Sequence, residues 1–127
     1  MRAAIIPNVK IAVVDHDRLT REFIANVMMY SVNREVLLFE DAAGLKAYLQ
    51  AGGNVHLILS EIHLPGESGI KLLQHIKKDF PQVIFIAISA NPADETPASE
   101  LDADAFLAKP FALQDLFNIV QKFVVEG

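Results

Sequence analysis

Three stretches of the chain, Ile11–Val14, Val55–Leu59 and Val83–Ile88, are short, nearly continuous apolar runs rich in Ile and Val. Runs of this length and composition fit central parallel strands covered on both faces. Val36–Phe39 and Ala105–Ala108 are shorter and weaker, as edge strands often are. The segments between them carry helical spacing instead. Phe23, Ile24, Val27 and Met28 fall on one stripe, then Leu45, Tyr48 and Leu49, then Ile70, Leu73 and Ile76. A last stripe runs through Leu113, Leu116, Phe117, Val120, Phe123 and Val124, an apolar face about 120° wide.

Punctuation agrees with this division. Gly52-Gly53 precedes the third strand, Pro65-Gly66 follows it, and Pro81 closes the third helix. The order is strand then helix, repeated through the chain. Such alternation predicts a parallel sheet with right-handed crossovers. The expected architecture is a flavodoxin-like, doubly wound sheet of five strands in the order 2-1-3-4-5, with helices on both faces. One region breaks the pattern. Between Ser89 and Ala105 lie Pro92 and Pro97 with few apolar residues, so the fourth helix should be short, within Ala98–Asp102, or largely lost.

Composition narrows the class. At 127 residues the chain is expected to be one domain, residues 1–127, with a core of its own. Hydrophobic residues at 52% and charged residues at 21% are ordinary for a globular protein and exclude a disordered one. The absence of cysteine removes disulfides, thiolate metal sites and cysteine nucleophiles. Ala3–Ile6 is too short for a signal-peptide core, and no run approaches the roughly 18 apolar residues of a membrane span. A net charge of −5 disfavours a phosphate-backbone partner. A cytoplasmic protein with neither nucleic acid nor membrane as partner is expected. Glu126-Gly127 reads as an expression scar, so the natural chain is expected to allow a continuation.

In an open parallel sheet the functional crevice lies beyond the carboxyl ends of the strands. The first strand ends in Asp15-His16-Asp17, the third in Glu61, the fourth in Ser89 and the fifth in Lys109-Pro110. Given the topology, three carboxylates, an imidazole, a hydroxyl and an ammonium should share one pocket. It would suit a cation, a phosphoryl group held between cation, hydroxyl and lysine, or an inert network in which Lys109 neutralises Glu61.

These motifs together resemble the receiver domains of bacterial response regulators, over essentially the whole length. Ile11-Ala-Val-Val-Asp-His-Asp17 is similar to the family's first strand and acidic pair. His56-Leu-Ile-Leu-Ser-Glu-Ile-His-Leu-Pro-Gly-Glu-Ser-Gly69 is similar to the phosphorylation-site strand and loop, Ile86-Ala-Ile-Ser-Ala90 to the strand that delivers a hydroxyl, and Phe106-Leu-Ala-Lys-Pro-Phe111 to the lysine-proline segment. The resemblance implies an aspartate that takes a phosphoryl group as a mixed anhydride, Mg²⁺ on acidic residues, and a hydroxyl and lysine that hold the product. It also implies a cis bond before Pro110.

Two departures follow from that comparison. Glu61 stands where the phosphoaccepting aspartate belongs, and His16 where the main Mg²⁺-binding carboxylate sits. Glu is longer by one carbon–carbon bond, about 1.5 Å, and a misplacement near 1 Å costs on the order of 100-fold in an alignment-dependent reaction. An imidazole offers a hard ion the wrong atom. Asp17 is expected to cap the first helix rather than replace the lost ligand. The expectation is a non-enzymatic signalling module, not phosphorylated at position 61, with no cofactor and Mg²⁺ binding weak or lost. Glu61 then either pairs with Lys109 or imitates a phosphorylated state toward Lys109 and Ser89. Phe106 takes the family's switch-aromatic position, or is simply a core residue of the edge strand. Gly69 serves a tight turn or the start of a helix.

A protein partner, an effector domain or a second copy would dock on the face of the fourth helix, fifth strand and fifth helix, where Ile119 and Val125 lie off the main stripe. His56, His63 and His75 read as surface residues. Two alternatives stay open: phosphorylation with Mg²⁺ on Asp15 or Asp17, and a Zn²⁺ or Mn²⁺ site of Asp15, His16 and Glu61. A flavin site is disfavoured, because His16-Asp-Arg-Leu-Thr20 lacks a Gly/Ser-rich phosphate cradle.

Overall fold

A computed structural model describes residues 9–31 and 35–124. Ala3–Ile6, Val125 and Glu126-Gly127 lie outside the described residues. The strands are β1 (Lys10–Val14), β2 (Glu35–Phe39), β3 (Leu57–Glu61), β4 (Ile84–Ser89) and β5 (Ala105–Ala108). The helices are α1 (Arg18–Ser31), α2 (Ala42–Gln50), α3 (Gly69–Asp79), α4 (Glu95–Glu100) and α5 (Leu113–Val124). The sheet is parallel throughout, in the order β2-β1-β3-β4-β5. This is the flavodoxin-like arrangement expected from the alternation of patterns.

The pleat divides the core in two. Ala12, Val14, Ile58, Phe85 and Ala87 face α2, α3 and α4, against Leu45, Leu49, Leu72, Leu73, Ile76 and Ala98. Ile11, Val13, Leu57, Leu59, Ile86 and Ile88 face α1 and α5, against Ile24, Met28, Leu116 and Val120. The strands in the centre are therefore buried at nearly every position and polar only at their ends, while β2 and β5 are only partly buried.

Some boundaries differ from expectation. β3 begins two residues later than the apolar run and carries on through Ser60 and Glu61, because backbone pairing with β4 continues past the apolar side chains. α4 starts at Glu95, after a 3₁₀ turn over Pro92–Asp94, rather than at Ala98. Pro97 is tolerated as its third residue, where a backbone N–H has no partner within the helix. Asp102 was expected at the helix end, but its φ of 68° places it beyond, in the left-handed region. Phe23 and Leu113 lie on their helical stripes yet are exposed, whereas Ile119 packs against the α1–α5 side of the core. His56 and His75 are half-buried. His56 Nδ1 accepts the Lys10 N–H at 3.0 Å, which fastens β3 to β1.

Gly69 fixes how closely α3 approaches the end of β3. Its N–H donates to the Ile62 carbonyl at 2.8 Å. A Cβ there would sit 2.2 Å from the Glu61 carbonyl oxygen and 2.7 Å from Ile62 Cα. Both are backbone atoms that cannot rotate away. Gly69→Ala should therefore destabilise the fold by about 2 kcal/mol or more, seen as a lower urea midpoint with an unchanged slope.

Candidate functional site

The carboxyl ends of β1, β3 and β5 bring Asp15, Glu61 and Lys109 together. Asp15 follows β1 by one residue and Lys109 follows β5 by one, so both point to the same side of the sheet as Glu61. Lys109 Nζ donates to Glu61 Oε1 at 2.6 Å and to Asp15 Oδ2 at 3.1 Å. The two carboxylates are almost wholly buried, at 7% and 1% side-chain exposure, and the lysine is 20% exposed. Their remaining oxygens are also satisfied. Asp15 Oδ1 accepts the Asp17 N–H at 2.8 Å, and Glu61 Oε2 accepts the His63 N–H at 3.0 Å. All four carboxylate oxygens are hydrogen-bonded, and the surplus negative charge is shared with two backbone dipoles. Burial alone would push the Lys109 ammonium toward neutrality. Its bonds to Glu61 and Asp15, with their charges, outweigh that and hold its pKa above the ordinary lysine value.

The other predicted residues are arranged differently. Ser89 is fully buried but turns away from this trio. The Ser89 side chain has the parity of Ala87, which faces the opposite layer. Its hydroxyl donates to Asp94 Oδ2 at 2.6 Å and accepts the Asn91 N–H at 3.0 Å. His16 is exposed and stands outside the buried trio. Asp17 caps α1, accepting the Thr20 N–H at 3.2 Å and the Thr20 hydroxyl. The hydroxyl bond lowers the Asp17 pKa, against an opposing push from desolvation. The Lys109–Pro110 peptide is cis. Phe106 is half-buried against the α2–α4 side of the core, beside a cavity of about 210 Å³ shared with Ala98 and Ala103.

Asp94 escaped the sequence reading. It accepts from Ser89 and lies 2.7 Å from His63 Nε2. The Ser89 bond lowers its pKa most; burial opposes this, and His63 adds to the lowering. His63 does face solvent, but it is bonded to Asp94. The available signal was a buried serine at a strand end followed by an Asn91-Pro92-Ala93-Asp94 turn. A wider groove of about 460 Å³ runs beside Lys109 between Leu19, Phe23, Pro110 and Phe111.

The fold and the lysine–carboxylate cluster define a doubly wound parallel α/β domain with its polar site at the strand tips. The family model described as Response regulator receiver domain matches residues 11–121. The chain belongs to that family, the receiver domains of two-component signalling. It is 32% identical over 114 residues to the DNA-binding transcriptional regulator NtrC of Azospirillum brasilense, matching 88% of this chain and 23% of that protein. It is 33% identical to the sensor kinase CckA of Brucella abortus, over 72% of this chain and 10% of that protein. Against the response regulator Rcp1 of Synechocystis the identity is 28%, with 87% and 83% covered. The chain thus spans 23% or less of the first two relatives' lengths. A CheY-like receiver structure from Methanospirillum hungatei superposes with a TM-score of 0.84 at 22% identity, covering 91% and 93% of the two chains, and shows the fold.

Proposed function

We propose that this chain is a single receiver-like domain that signals through protein contacts without being phosphorylated at Glu61, its counterpart of the phosphoaccepting aspartate. The observation that carries this reading is the hydrogen-bonded trio of Lys109, Glu61 and Asp15. Lys109 already sits 2.6 Å from Glu61, and every oxygen of Glu61 and Asp15 is engaged. An attacking carboxylate must align an oxygen on phosphorus, and the bonds from Lys109 and the His63 N–H instead fix the Glu61 carboxylate in its present orientation. The donors also fit Mg²⁺ poorly. Two carboxylates enclose an ammonium, the middle position of the Asp15-His16-Asp17 stretch is an exposed imidazole, and Mg²⁺ demands oxygen ligands in a strict octahedron. Among the described residues, no group of three His, Cys, Asp or Glu side chains is placed to hold a metal, which disfavours the Zn²⁺ and Mn²⁺ alternative. Glu61 is read as the fixed partner of Lys109 rather than an imitation of a phosphorylated state, since Ser89 is committed to Asp94.

Receiver domains work with effector domains or separate partners. The proposed contact face is that of α4, β5 and α5, for an effector, a partner or a second copy. No helix among the described residues is long and apolar enough to cross a membrane. The test is incubation with a small acyl-phosphate donor and Mg²⁺, followed by intact-mass measurement. The expected spectrum is unchanged. A gain of one phosphoryl group on an aspartate would replace this reading with the catalytic one.

A further inference from the structure

Two loops at the strand tips are joined by bonds that the Lys109 trio does not require. His63, in the loop between β3 and α3, is anchored by its N–H to Glu61 Oε2 at 3.0 Å. Its ring Nε2 lies 2.7 Å from Asp94 Oδ2, and the same oxygen accepts the Ser89 hydroxyl at 2.6 Å. The turn is closed from within by the Asp94 N–H, which donates to the Asn91 carbonyl at 3.0 Å.

We infer that His63, Asp94 and Ser89 form a latch that sets the position of α4 and that opens when the exposed His63 ring leaves Asp94. Three observations support this. First, α4 has six residues, too few to hold itself as a helix, and Ala98 is its only buried side chain. Its placement must therefore come from what holds its ends. Second, Asp94 occupies the N-cap position of α4 but makes no side-chain cap bond. An N-cap aspartate normally serves its own helix; here the carboxylate is directed at the neighbouring strand and loop instead. Third, the Asp94 side chain is 17% exposed while the His63 ring is 64% exposed. The acceptor is sheltered and the donor stands in solvent, so the donor is the member with room to move away. The charged and polar groups that His63 meets at this junction are Asp94 from the 3₁₀ turn, which also holds Ser89 from β4, and Glu61 from β3, which His63 reaches through its backbone N–H rather than its ring.

The inference takes the Glu61–Lys109 pair of the proposed function as its anchor, but its test reads no phosphorylation, so each can fail alone. Native-state hydrogen exchange of the full chain separates local from global opening. In His63→Ala, amides of Asn91–Asp102 should exchange roughly five- to tenfold faster, as expected on losing one hydrogen bond from a solvent-exposed donor, with β1 and β3 amides unchanged. His63→Gln, whose carboxamide also donates, should return these rates toward wild type. Unchanged rates in His63→Ala would overturn the latch. So would equal acceleration in β1 and β3, or a glutamine variant as fast as the alanine one.

Discussion

Lys109→Met should cost about 3 kcal/mol of folding stability, the largest effect expected of any substitution at the site. Among the described residues the lysine is the only cation paired with the Asp15 and Glu61 carboxylates. Methionine fills a similar volume but leaves two buried carboxylates side by side. Removing one member of a buried ion pair costs about 3–5 kcal/mol, because the charge left behind cannot recover its water. The 20% exposure of Lys109 and the two backbone N–H donors place the loss near the lower end of that range. Folding stabilities of about 5–15 kcal/mol make such a loss plain in a urea titration. Lys46→Met is the control, since the Lys46–Glu67 pair is 26% and 30% exposed and should contribute less than about 1 kcal/mol. Adding Glu61→Gln to Lys109→Met should restore part of the loss by removing one stranded charge. If Lys109→Met costs no more than Lys46→Met, the trio is not the buried network described above.

The same ion pairs set an alkaline dependence. The folded-state pKa of Lys109 lies above its unfolded value. Its contribution is therefore complete below the unfolded value, about 10.5, and is lost as pH rises through the higher folded value. The gap between wild type and Lys109→Met should be constant at neutral pH and narrow above that range.

Why these residues were legible in sequence, and Asp94 was not, follows from the period of a strand. Asp15, Glu61 and Lys109 sit at strand ends with the same parity, and topology alone stacks them. Ser89 lies at a strand end too, but the pleat turns it to the other face, so convergence of strand tips overstated its reach. The partner it does find lies five residues on, in a turn whose course no apolar pattern records. The same limit displaced two element boundaries. β3 continues through Ser60 and Glu61 on backbone bonds that hydrophobicity cannot register. α4 accepts Pro97 because its first turn needs no N–H at that position. The central strands were easier, since helices cover both faces of β1, β3 and β4 and demand apolar side chains at successive positions. Phe23 and Leu113 show the converse: a stripe gives direction around a helix, not whether another element covers its edge.

Placing aspartates at positions 16 and 61 should convert the site to a phosphoryl acceptor, and neither substitution should suffice alone. On the proposed reading, Glu61→Asp withdraws the carboxylate by about 1.5 Å. The 2.6 Å contact with Lys109 then opens, freeing an oxygen and room beside it. His16→Asp puts a hard oxygen donor next to Asp15, where an exposed imidazole now stands. Mg²⁺ needs that donor, and the attacking oxygen needs that alignment; each handicap blocks the reaction even when the other is repaired. With an acyl-phosphate donor and Mg²⁺, the Glu61→Asp/His16→Asp double variant should label at least about 100-fold faster than either single variant, in line with the cost of a misplacement near 1 Å. The label should map to position 61 and be released by hydroxylamine, which cleaves an acyl phosphate but spares a serine phosphate. Wild type should stay unlabelled throughout. Labelling of wild type at the double variant's rate would show that Glu61 and His16 are no obstacle. A folded double variant that takes no label would show that the barrier lies elsewhere, with the Asp94-bound Ser89 hydroxyl the next group to release.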